Sequence, residues 1–230
     1  MILKTAVIIA GGKGTRLEEK TKNLPKPLVL VSGKPILERI INWLKKNGVE
    51  NIVIGVAYKK EMVKKYFGNG SKFGVNIYYT EHDKNGGTED AFKIAIEKAS
   101  QIADNFYAMN GDQITDLSLE KLTDAYFRVG ALAMMVTLKL RTNFGMVEID
   151  NKKRVTLFRE KGEVPNTLMN SGIYVFNKKI LDYLEKGNIE ENAFRKLARD
   201  RKLFSFYYDG LWMTINDKKQ LKEVEEYFKK

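Results

Sequence analysis

Two spacings of apolar residues alternate along the first half of the chain. Short runs rich in Val, Ile, Tyr and Phe predict strands over residues 4–10, 51–56, 76–79 and 105–109. Amphipathic stretches between these runs predict helices near residues 35–47, 61–67 and 89–98. Strands that alternate with helices are typical of a parallel sheet with helices packed on its faces.

Local signals mark the ends of these helices. Pro35 suits a helix start because it has no N–H to leave unpaired, and Asn47-Gly48 is a typical helix end. Thr88 is the predicted N-cap of the third helix, whose first turn carries the acidic residues Glu89 and Asp90. The first helix has one apolar face, made of Ile36, Leu37, Ile40, Ile41 and Leu44.

The second half of the chain changes to strands joined by hairpin-type links. We predict strands over residues 132–140, 145–149, 155–158, 169–176 and 203–207, with a turn at 150–152. Helices are predicted over 179–186 and 191–199, and a closing helix places Leu221, Val224 and Phe228 on one face. The expected fold class is α/β, a Rossmann-like three-layer sandwich with a mixed, mainly parallel central sheet.

Composition narrows the class of protein. A chain of 230 residues with 43% hydrophobic content can bury a substantial core, so we expect a single domain that needs no disulfide or structural metal. The absence of cysteine excludes a thiol nucleophile and a cysteine zinc site. The apolar run at residues 6–10 is too short to span a bilayer, so we expect a cytoplasmic protein without a membrane partner.

The net charge of +11 favours partners that carry phosphate, because lysine and arginine neutralise negative charge. A nucleic-acid-binding protein is one hypothesis. Most lysine doublets, however, fall on solvent faces or ends of predicted helices and alternate with Glu. We therefore expect no nucleic-acid partner, and a positive field that speeds encounter with a phosphorylated small molecule.

A glycine-rich loop, AGGKGTRL, follows the first predicted strand directly. Open α/β sheets bind ligands at this end of a strand, and glycine N–H groups together with Arg16 favour a bound phosphate. The dinucleotide fingerprint needs a glycine where Leu17 stands, and a Walker A loop needs Ser or Thr where Pro35 follows Gly33-Lys34. A tight turn without a ligand is the alternative explanation of the loop alone.

Lys26 lies between two prolines in LPKPL, which predicts an extended segment that aims the lysine in one direction. With this lysine included, the segment GGKGTRLEEKTKNLPKPLVLVSGKPILERII resembles the signature of the sugar-1-phosphate nucleotidyltransferases. That family includes mannose-1-phosphate guanylyltransferases and glucose-1-phosphate thymidylyl-, uridylyl- and cytidylyltransferases. A looser likeness continues over nearly the whole chain.

The resemblance implies a fold of the nucleotide-diphospho-sugar transferase type. Its nucleotide-binding half would cover about residues 1–115, and its sugar-phosphate-binding half about residues 116–230. It also implies transfer of a nucleotidyl group from a nucleoside triphosphate to a sugar 1-phosphate, with release of pyrophosphate. Because the chain ends at Lys230, soon after the family's core, we expect no trailing β-helix acetyltransferase domain.

The resemblance also implies roles for residues of the first half. Arg16 and Lys26 would contact the phosphates during attack, where negative charge builds and must be offset. In YTEHDKNGGTEDA, Glu81 would read the base, which favours GTP because a carboxylate can accept two N–H donors of guanine. The loop departs from the family around residues 84–86. The expected nucleotide-binding residues are Ala10, Gly11, Gly12, Gly14, Thr15, Glu81, Gly87 and Thr88.

The same resemblance places a magnesium site at the strand that ends in FYAMNGD. Asp112 would bind Mg²⁺ and act with Arg16 and Lys26 in catalysis. The family's second acid lies two residues after a late Trp, where this chain has Thr214, so Asp217 is considered as the second ligand. The sugar-phosphate-binding residues implied by the resemblance are Gly145, Glu160, Lys161 and Asn170, with Gly172 beside the last of them.

Several alternatives stay open at this point. GTP with a mannose-type sugar is preferred, and cytidylyl, uridylyl or thymidylyl transfer is the nearest alternative. A module of the same fold that senses nucleotides or sugar phosphates without catalysis is motivated by Thr214 and by Glu89-Asp90. The lone His82 need not be a catalytic base, because a phosphate oxygen nucleophile is already ionised. The sequence leaves the oligomeric state open, and a homo-oligomer is compatible with it.

Overall fold

A computed structural model describes residues 1–17, 19–83 and 86–229. The predicted departure from the family around residues 84–86 therefore lies largely outside the described residues. Within the described residues, the main sheet has seven strands, which are β1 (Thr5–Ile9), β4 (Asn51–Val56), β5 (Asn76–Glu81), β6 (Asn105–Asn110), β8 (Ala133–Ile149), β9 (Val155–Asn177) and β10 (Leu203–Tyr207). Their order in the sheet is β10-β8-β9-β6-β1-β4-β5.

Two small ribbons accompany the main sheet. One pairs β2 (Leu30–Val31) with β3 (Lys34–Pro35), and the other pairs β7 (Gln113–Thr115) with β11 (Trp212–Thr214). The α-helices of the described residues are α1 (Glu19–Lys22), α2 (Ile36–Lys46), α3 (Lys60–Phe67), α4 (Thr88–Ser100), α5 (Leu119–Val129), α6 (Ala193–Arg199) and α7 (Lys218–Tyr227). Single 3-10 segments occur at Thr15–Leu17, Lys26–Leu28, Ser71–Phe73 and Lys178–Tyr183.

The sheet is mixed but mainly parallel. β1 pairs with β4 and β6, β4 with β5, and β10 with β8, all in parallel, whereas β9 runs antiparallel to β6 and β8. Alternate residues of β1 point to opposite faces, so Ala6 and Ile8 join one core and Val7 joins the other. Helices α2, α3, α5 and α7 cover the first face and α4 and α6 the second, which confirms the predicted three-layer arrangement.

Most elements of the first half match the sequence prediction, and the differences have local causes. The N-cap of α4 is Gly87 and not Thr88. Asp90, three residues on, accepts the Gly87 N–H at 3.1 Å and so satisfies the helix start from inside the first turn. Helix α5 was not predicted, although Ser118 caps it and Leu119, Leu122 and Tyr126 form a buried stripe.

The second half differs more. The four strands predicted over residues 132–176 are two long strands, β8 and β9, that pair almost continuously with four irregularities in register. Beyond β10, these strands project as a two-stranded ribbon that ends at the turn after Asp150, as predicted. The helix predicted over 179–186 is a 3-10 segment, Lys178–Tyr183. The closing helix buries Leu221 and Val224 as expected, whereas Phe228 lies at its C-cap and is 36% exposed. In the described parts of the chain, no helix is long and apolar enough to cross a membrane.

Candidate active site

The predicted phosphate-binding elements meet along one edge of the sheet. The loops after β1, β5 and β6 leave the carboxyl ends of neighbouring parallel strands, so they share an edge. From β1 the chain adds β4 and then β5 on one side, and it then adds β6 on the other side of β1. The gap between β1 and β6 is therefore a topological switch point, which is where sheets of this kind bind ligands.

Lys26 and Asp112 meet at this switch point. The ammonium Nζ of Lys26 lies 2.6 Å from Oδ2 of Asp112 and 3.0 Å from Oδ1 of Asn216. Arg16 also reaches Asn216, with Nη2 at 3.4 Å from the same oxygen. The lysine and aspartate side chains are only 12% and 18% exposed, so their ion pair is largely shielded from water. The structure thus brings together the three residues predicted to be catalytic.

The Lys26 backbone differs from the prediction. Lys26 begins a 3-10 turn and does not lie in a fully extended segment. Pro25 and Pro27 lack N–H groups, but the carbonyls of Pro25 and Lys26 still accept bonds from Leu28 and Val29, at 2.9 and 3.1 Å. This single turn aims the lysine as predicted, by a different backbone conformation.

The sequence prediction missed Asn216. It lies in the loop between β11 and α7, and Ile215 beside it donates its N–H to the Asp112 carbonyl at 3.0 Å. Its amide Nδ2 donates to Thr214 Oγ1 at 2.9 Å, so Thr214 contacts this group instead of supplying an acid. The available signal was a polar residue two positions after a short strand and directly before the cap of a helix.

Asp217 has a structural contact of its own. Its side chain caps α7, with Oδ1 accepting the backbone N–H of Gln220 at 2.8 Å. Gln220 in turn accepts the backbone N–H of Asn216 at 2.8 Å. This reciprocal pair satisfies two N–H groups at the start of α7. The residue predicted as a second metal ligand therefore caps the helix that directly follows Asn216.

The glycine-rich loop packs tightly against the rest of the site. Ala10 is buried at the end of β1, whereas Gly12 and Thr15 are exposed. Gly14 has a positive φ of 67°, and an added Cβ would lie 3.0 Å from Cβ of Lys26. Its carbonyl accepts a bond from Thr21 Oγ1 at 2.9 Å. Glycine at position 14 therefore allows the loop to pass close to the lysine.

His82 explains the need for glycine at position 11. A Cβ added to Gly11 would lie 2.2 Å from Nε2 of His82, which no real side chain tolerates. Nδ1 of the imidazole is buried without a hydrogen-bond partner among the described residues. Burial lowers the pKa of His82, and nearby Asp83 and Asp90 only partly oppose that effect. The imidazole is thus held neutral against the loop.

Glu81, at the end of β5, is bound by two lysines of α3. Lys64 Nζ lies 2.5 Å from Oε1, and Lys60 donates to Oε2. These hydrogen bonds lower the pKa of Glu81 to about 2. The carboxylate is 45% exposed, so solvent reaches it. Reading a base would require Glu81 to exchange at least one lysine contact for the nucleotide.

Gly87 and Thr88 lie at the start of α4, against the loop that follows the 3-10 segment Lys178–Tyr183. Thr88 Oγ1 donates to Glu190 at 3.0 Å and accepts the Ile189 N–H at 3.2 Å. The neighbouring Glu89 is fully buried, and its two oxygens accept from the Glu185 N–H and the Asn192 amide, at 2.7 and 2.8 Å. These contacts fix the start of α4 on this loop.

The residues predicted to bind sugar phosphate fall into two groups. Asn170 lies in the sheet, where Oδ1 accepts the Gly172 N–H at 2.8 Å and Nδ2 donates to Tyr174 at 2.9 Å. β9 has an irregular register between Asn170 and Tyr174. A Cβ on Gly172 would approach the amides of Gln113 and Asn110, so this part of β9 packs beside the Asp112 loop. By contrast, Gly145, Glu160 and Lys161 are exposed on the projecting ribbon, where Gly145 pairs with Glu160.

Comparisons of the sequence with known proteins find relatives along nearly the whole chain. The nucleotidyl transferase family matches residues 5–224. The bifunctional protein GlmU of Methanocaldococcus jannaschii is 33% identical over 96% of this chain and 53% of its own length. The D-glycero-alpha-D-manno-heptose 1-phosphate guanylyltransferase of Aneurinibacillus thermoaerophilus is 30% identical over 96% of this chain and 99% of its own. The chain spans about half the length of the first curated relatives that it matches.

A solved structure extends the likeness to three dimensions. HddC from Yersinia pseudotuberculosis superposes with a TM-score of 0.73 at 26% identity, over 98% of this chain and 100% of that one. Its complex with GMP-PN gives a TM-score of 0.71. The sheet order, the loop after β1 and the match over residues 5–224 lead to one assignment. This chain belongs to the nucleotidyl transferase family.

Proposed function

We propose that the protein transfers a nucleotidyl group from a nucleoside triphosphate to a sugar 1-phosphate, releasing pyrophosphate. One observation carries the proposal. At the switch point of the sheet, Lys26 binds both Asp112 and Asn216, and Arg16 of the glycine-rich loop binds the same Asn216. Two cations at this place suit a substrate that carries several phosphates. The likeness to a heptose 1-phosphate guanylyltransferase over nearly the full length of both chains supports the same reaction.

The chemistry needs charge stabilisation more than acid–base catalysis. A phosphate oxygen of the sugar 1-phosphate attacks the α-phosphorus in line, the bond to the β-phosphate oxygen breaks, and pyrophosphate leaves. The nucleophile is already ionised, so no protein base is required. Lys26 and Arg16 would offset the negative charge that builds on the phosphates, and the loop N–H groups would orient them.

Asp112 is our assignment for the protein carboxylate that holds Mg²⁺. Two oxygens, Oδ2 of Asp112 and Oδ1 of Asn216, already converge on a cation, the Lys26 ammonium, and such hard donors fit magnesium. Among the described residues, no group of three or more His, Cys, Asp or Glu could hold a metal. Magnesium often uses few protein ligands together with phosphate oxygens and water, and when bound it offsets phosphate charge. Asp217 stays a prediction as the second ligand.

The nucleotide subsite in this proposal consists of the loop residues 10–15 with Glu81, Gly87 and Thr88. We assign GTP as the preferred nucleotide, since Glu81 lies at the carboxyl end of β5 and offers a carboxylate to guanine. The complex of HddC with GMP-PN supports this choice. Glu81 would exchange its hydrogen bond with Lys60 or Lys64 for the base, and the remaining lysine would favour its ionised form, which is the form that accepts two N–H bonds.

The sugar-phosphate subsite would combine Asn170 with Gly145, Glu160 and Lys161. Amide and carboxylate groups bind sugar hydroxyls, and Lys161 can hold the phosphate. A mannose-type sugar is the preferred acceptor. Because the last three residues lie on the exposed ribbon, we expect their contribution to depend on how the ribbon approaches a bound sugar.

The test is pyrophosphate release with Mg²⁺, crossing GTP, UTP, dTTP, CTP and ATP against mannose, glucose, galactose and glucosamine 1-phosphates. Each nucleotide without sugar phosphate is the blank. A sugar-dependent signal, strongest with GTP and mannose 1-phosphate, is expected. Equal release with and without sugar phosphate would contradict the reaction.

A module that binds nucleotide without catalysis is the second candidate, because Thr214 contacts Asn216 at the place where the family has an acid. Calorimetric binding of each nucleotide separates the two. Tight nucleotide binding with no pyrophosphate release, over all sugar phosphates and with Mn²⁺ as well as Mg²⁺, would favour the sensing module.

A further inference from the structure

Asn216 links two cations of the site, Lys26 and the Arg16 of the glycine-rich loop. Its Oδ1 accepts from Lys26 Nζ at 3.0 Å and from Arg16 Nη2 at 3.4 Å. The Lys26 ammonium also donates to Asp112. A single amide oxygen therefore constrains where both cationic groups lie relative to each other.

The orientation of the Asn216 amide is fixed by its neighbours. Nδ2 donates to Thr214 Oγ1 at 2.9 Å, and the backbone N–H donates to Gln220 at 2.8 Å. A flipped amide would turn its NH₂ group toward Lys26 and Arg16, which have no acceptor atoms. The hydroxyl on one side and the two cations on the other thus select one orientation.

The neutral charge of Asn216 matters as much as its geometry. A carboxylate here would accept the same two hydrogen bonds but would also cancel one positive charge. With an amide at position 216, the two positive charges of Lys26 and Arg16 face the single negative charge of Asp112. A triphosphate that enters the site therefore meets a net positive group.

We infer that Asn216 is a positioning residue of the transfer reaction: it aligns Lys26 and Arg16 on the triphosphate without reducing their charge, and Thr214 holds it in place. The inference rests on the proposed function and adds to it a specific arrangement of the site. In this arrangement Thr214 acts by orienting Asn216 and not by binding a metal.

Asn216→Ala removes the shared acceptor and leaves all charges unchanged. We expect kcat to fall by about 10- to 100-fold, because misplacement of catalytic groups by about 1 Å can cost that much. The KM for the nucleotide should change less than about threefold, because binding depends mainly on the charges that remain. A purely structural role would instead lower the melting temperature and leave kcat of the folded protein unchanged.

Asn216→Asp restores the acceptor and adds a negative charge. We expect kcat at saturating nucleotide and Mg²⁺ to recover to within about threefold of wild type. Affinity for inorganic triphosphate without metal, measured by calorimetry, should fall by about tenfold, because the added charge repels the ligand. The alanine variant, whose charge is unchanged, should bind triphosphate within about threefold of wild type.

Thr214 supplies a matched pair of variants. Thr214→Val keeps the shape and loses the hydroxyl, so only the two cations still orient the amide, and kcat should fall by about 3- to 10-fold. Thr214→Ser keeps the hydroxyl and should stay within about twofold of wild type. Equal rates in the two variants would overturn the part of the inference that concerns Thr214.

The measurements of kcat and of triphosphate affinity separate failure of the inference from failure of the proposed function. Wild-type kcat in Asn216→Ala, or equal loss in the alanine and aspartate variants, overturns the positioning role. If wild type releases no pyrophosphate with any sugar phosphate, the proposed reaction fails. Calorimetric binding of inorganic triphosphate then still tests the role of charge at position 216. The inference is overturned if Asn216→Asp binds triphosphate as tightly as wild type, or if wild type does not bind it.

Discussion

The Lys26 ammonium lies 2.6 Å from the Asp112 carboxylate, and this pair joins the loop after β1 to the loop after β6. Both side chains are mostly shielded from water, at 12% and 18% exposure, so solvent screens their attraction less than it screens an ion pair on the open surface.

Lys26→Ala and Asp112→Ala should each reduce kcat by about 100-fold or more, because each removes a charge that acts on the phosphates. Circular dichroism should show the wild-type fold, since the core lies elsewhere, whereas the melting temperature should fall because each variant leaves one partner of the shielded pair without its counter-charge. Near-normal rates in both purified variants would mean that the site is placed wrongly. Lys121→Ala, which removes an exposed lysine of α5 outside the site, serves as the control for a simple loss of positive charge.

Glu81→Gln should weaken the preference for GTP over UTP, because an amide replaces one of the two acceptors for guanine by a donor. We expect the ratio of kcat/KM for the two nucleotides to fall by about tenfold or more. The measurement is the pyrophosphate assay with each nucleotide in turn. An unchanged ratio would remove Glu81 from base recognition and leave it as a partner of Lys60 and Lys64.

Gly11→Ala should destabilise the protein by about 1–3 kcal/mol, because the added methyl group overlaps the His82 imidazole and forces it to move. His82→Ala should relieve much of this cost in the double variant. Urea unfolding of the wild type, both single variants and the double variant gives the coupling between the two sites. Additive effects of the two substitutions would contradict the contact.

Stability should depend on pH through His82, the single histidine of the chain. Burial lowers its pKa in the folded state below the value of 6.5 expected when unfolded, so the unfolded chain binds more protons below that pH. The contribution of His82 is therefore complete above pH 6.5 and is lost as the pH falls through the folded pKa. His82→Asn should reduce the difference in melting temperature between pH 7.5 and pH 5.

The other titrating groups are common to wild type and variant, so the comparison isolates the histidine. Asp83 and Asp90 oppose the shift and limit its size. The same pH dependence in both proteins would show that His82 is not held neutral.

Asp217→Ala should lower stability by about 1 kcal/mol, because the cap of α7 is lost, whereas Asp217→Asn keeps an acceptor for the Gln220 N–H. Melting temperature and Mn²⁺ binding measured by electron paramagnetic resonance distinguish the roles. A loss of Mn²⁺ affinity in the asparagine variant would support the predicted metal ligand. Unchanged metal binding would leave Asp217 with the cap alone.

The sequence by itself determined those features that depend on local pattern. Strand and helix positions of the first half followed from apolar spacing, which reflects the geometry of one element at a time. The glycine-rich loop could be found because it directly follows a strand, whereas the roles of Lys26 and Asp112 came from the resemblance of the segments around them to a known family. Helix α5 had the same kind of signal, with Ser118 as cap and a buried stripe, and was missed although no tertiary contact was needed to find it.

Only the tertiary structure decided which distant residues meet. Asn216 contacts Lys26 across 190 residues of sequence, and no local pattern predicts such a pairing, because it depends on how β7 and β11 associate. The two lysines on Glu81 and the imidazole on Gly11 come from separate elements that the sheet order brings together. Local spacing fixes the elements, whereas side-chain partners across the sheet depend on packing of the whole chain.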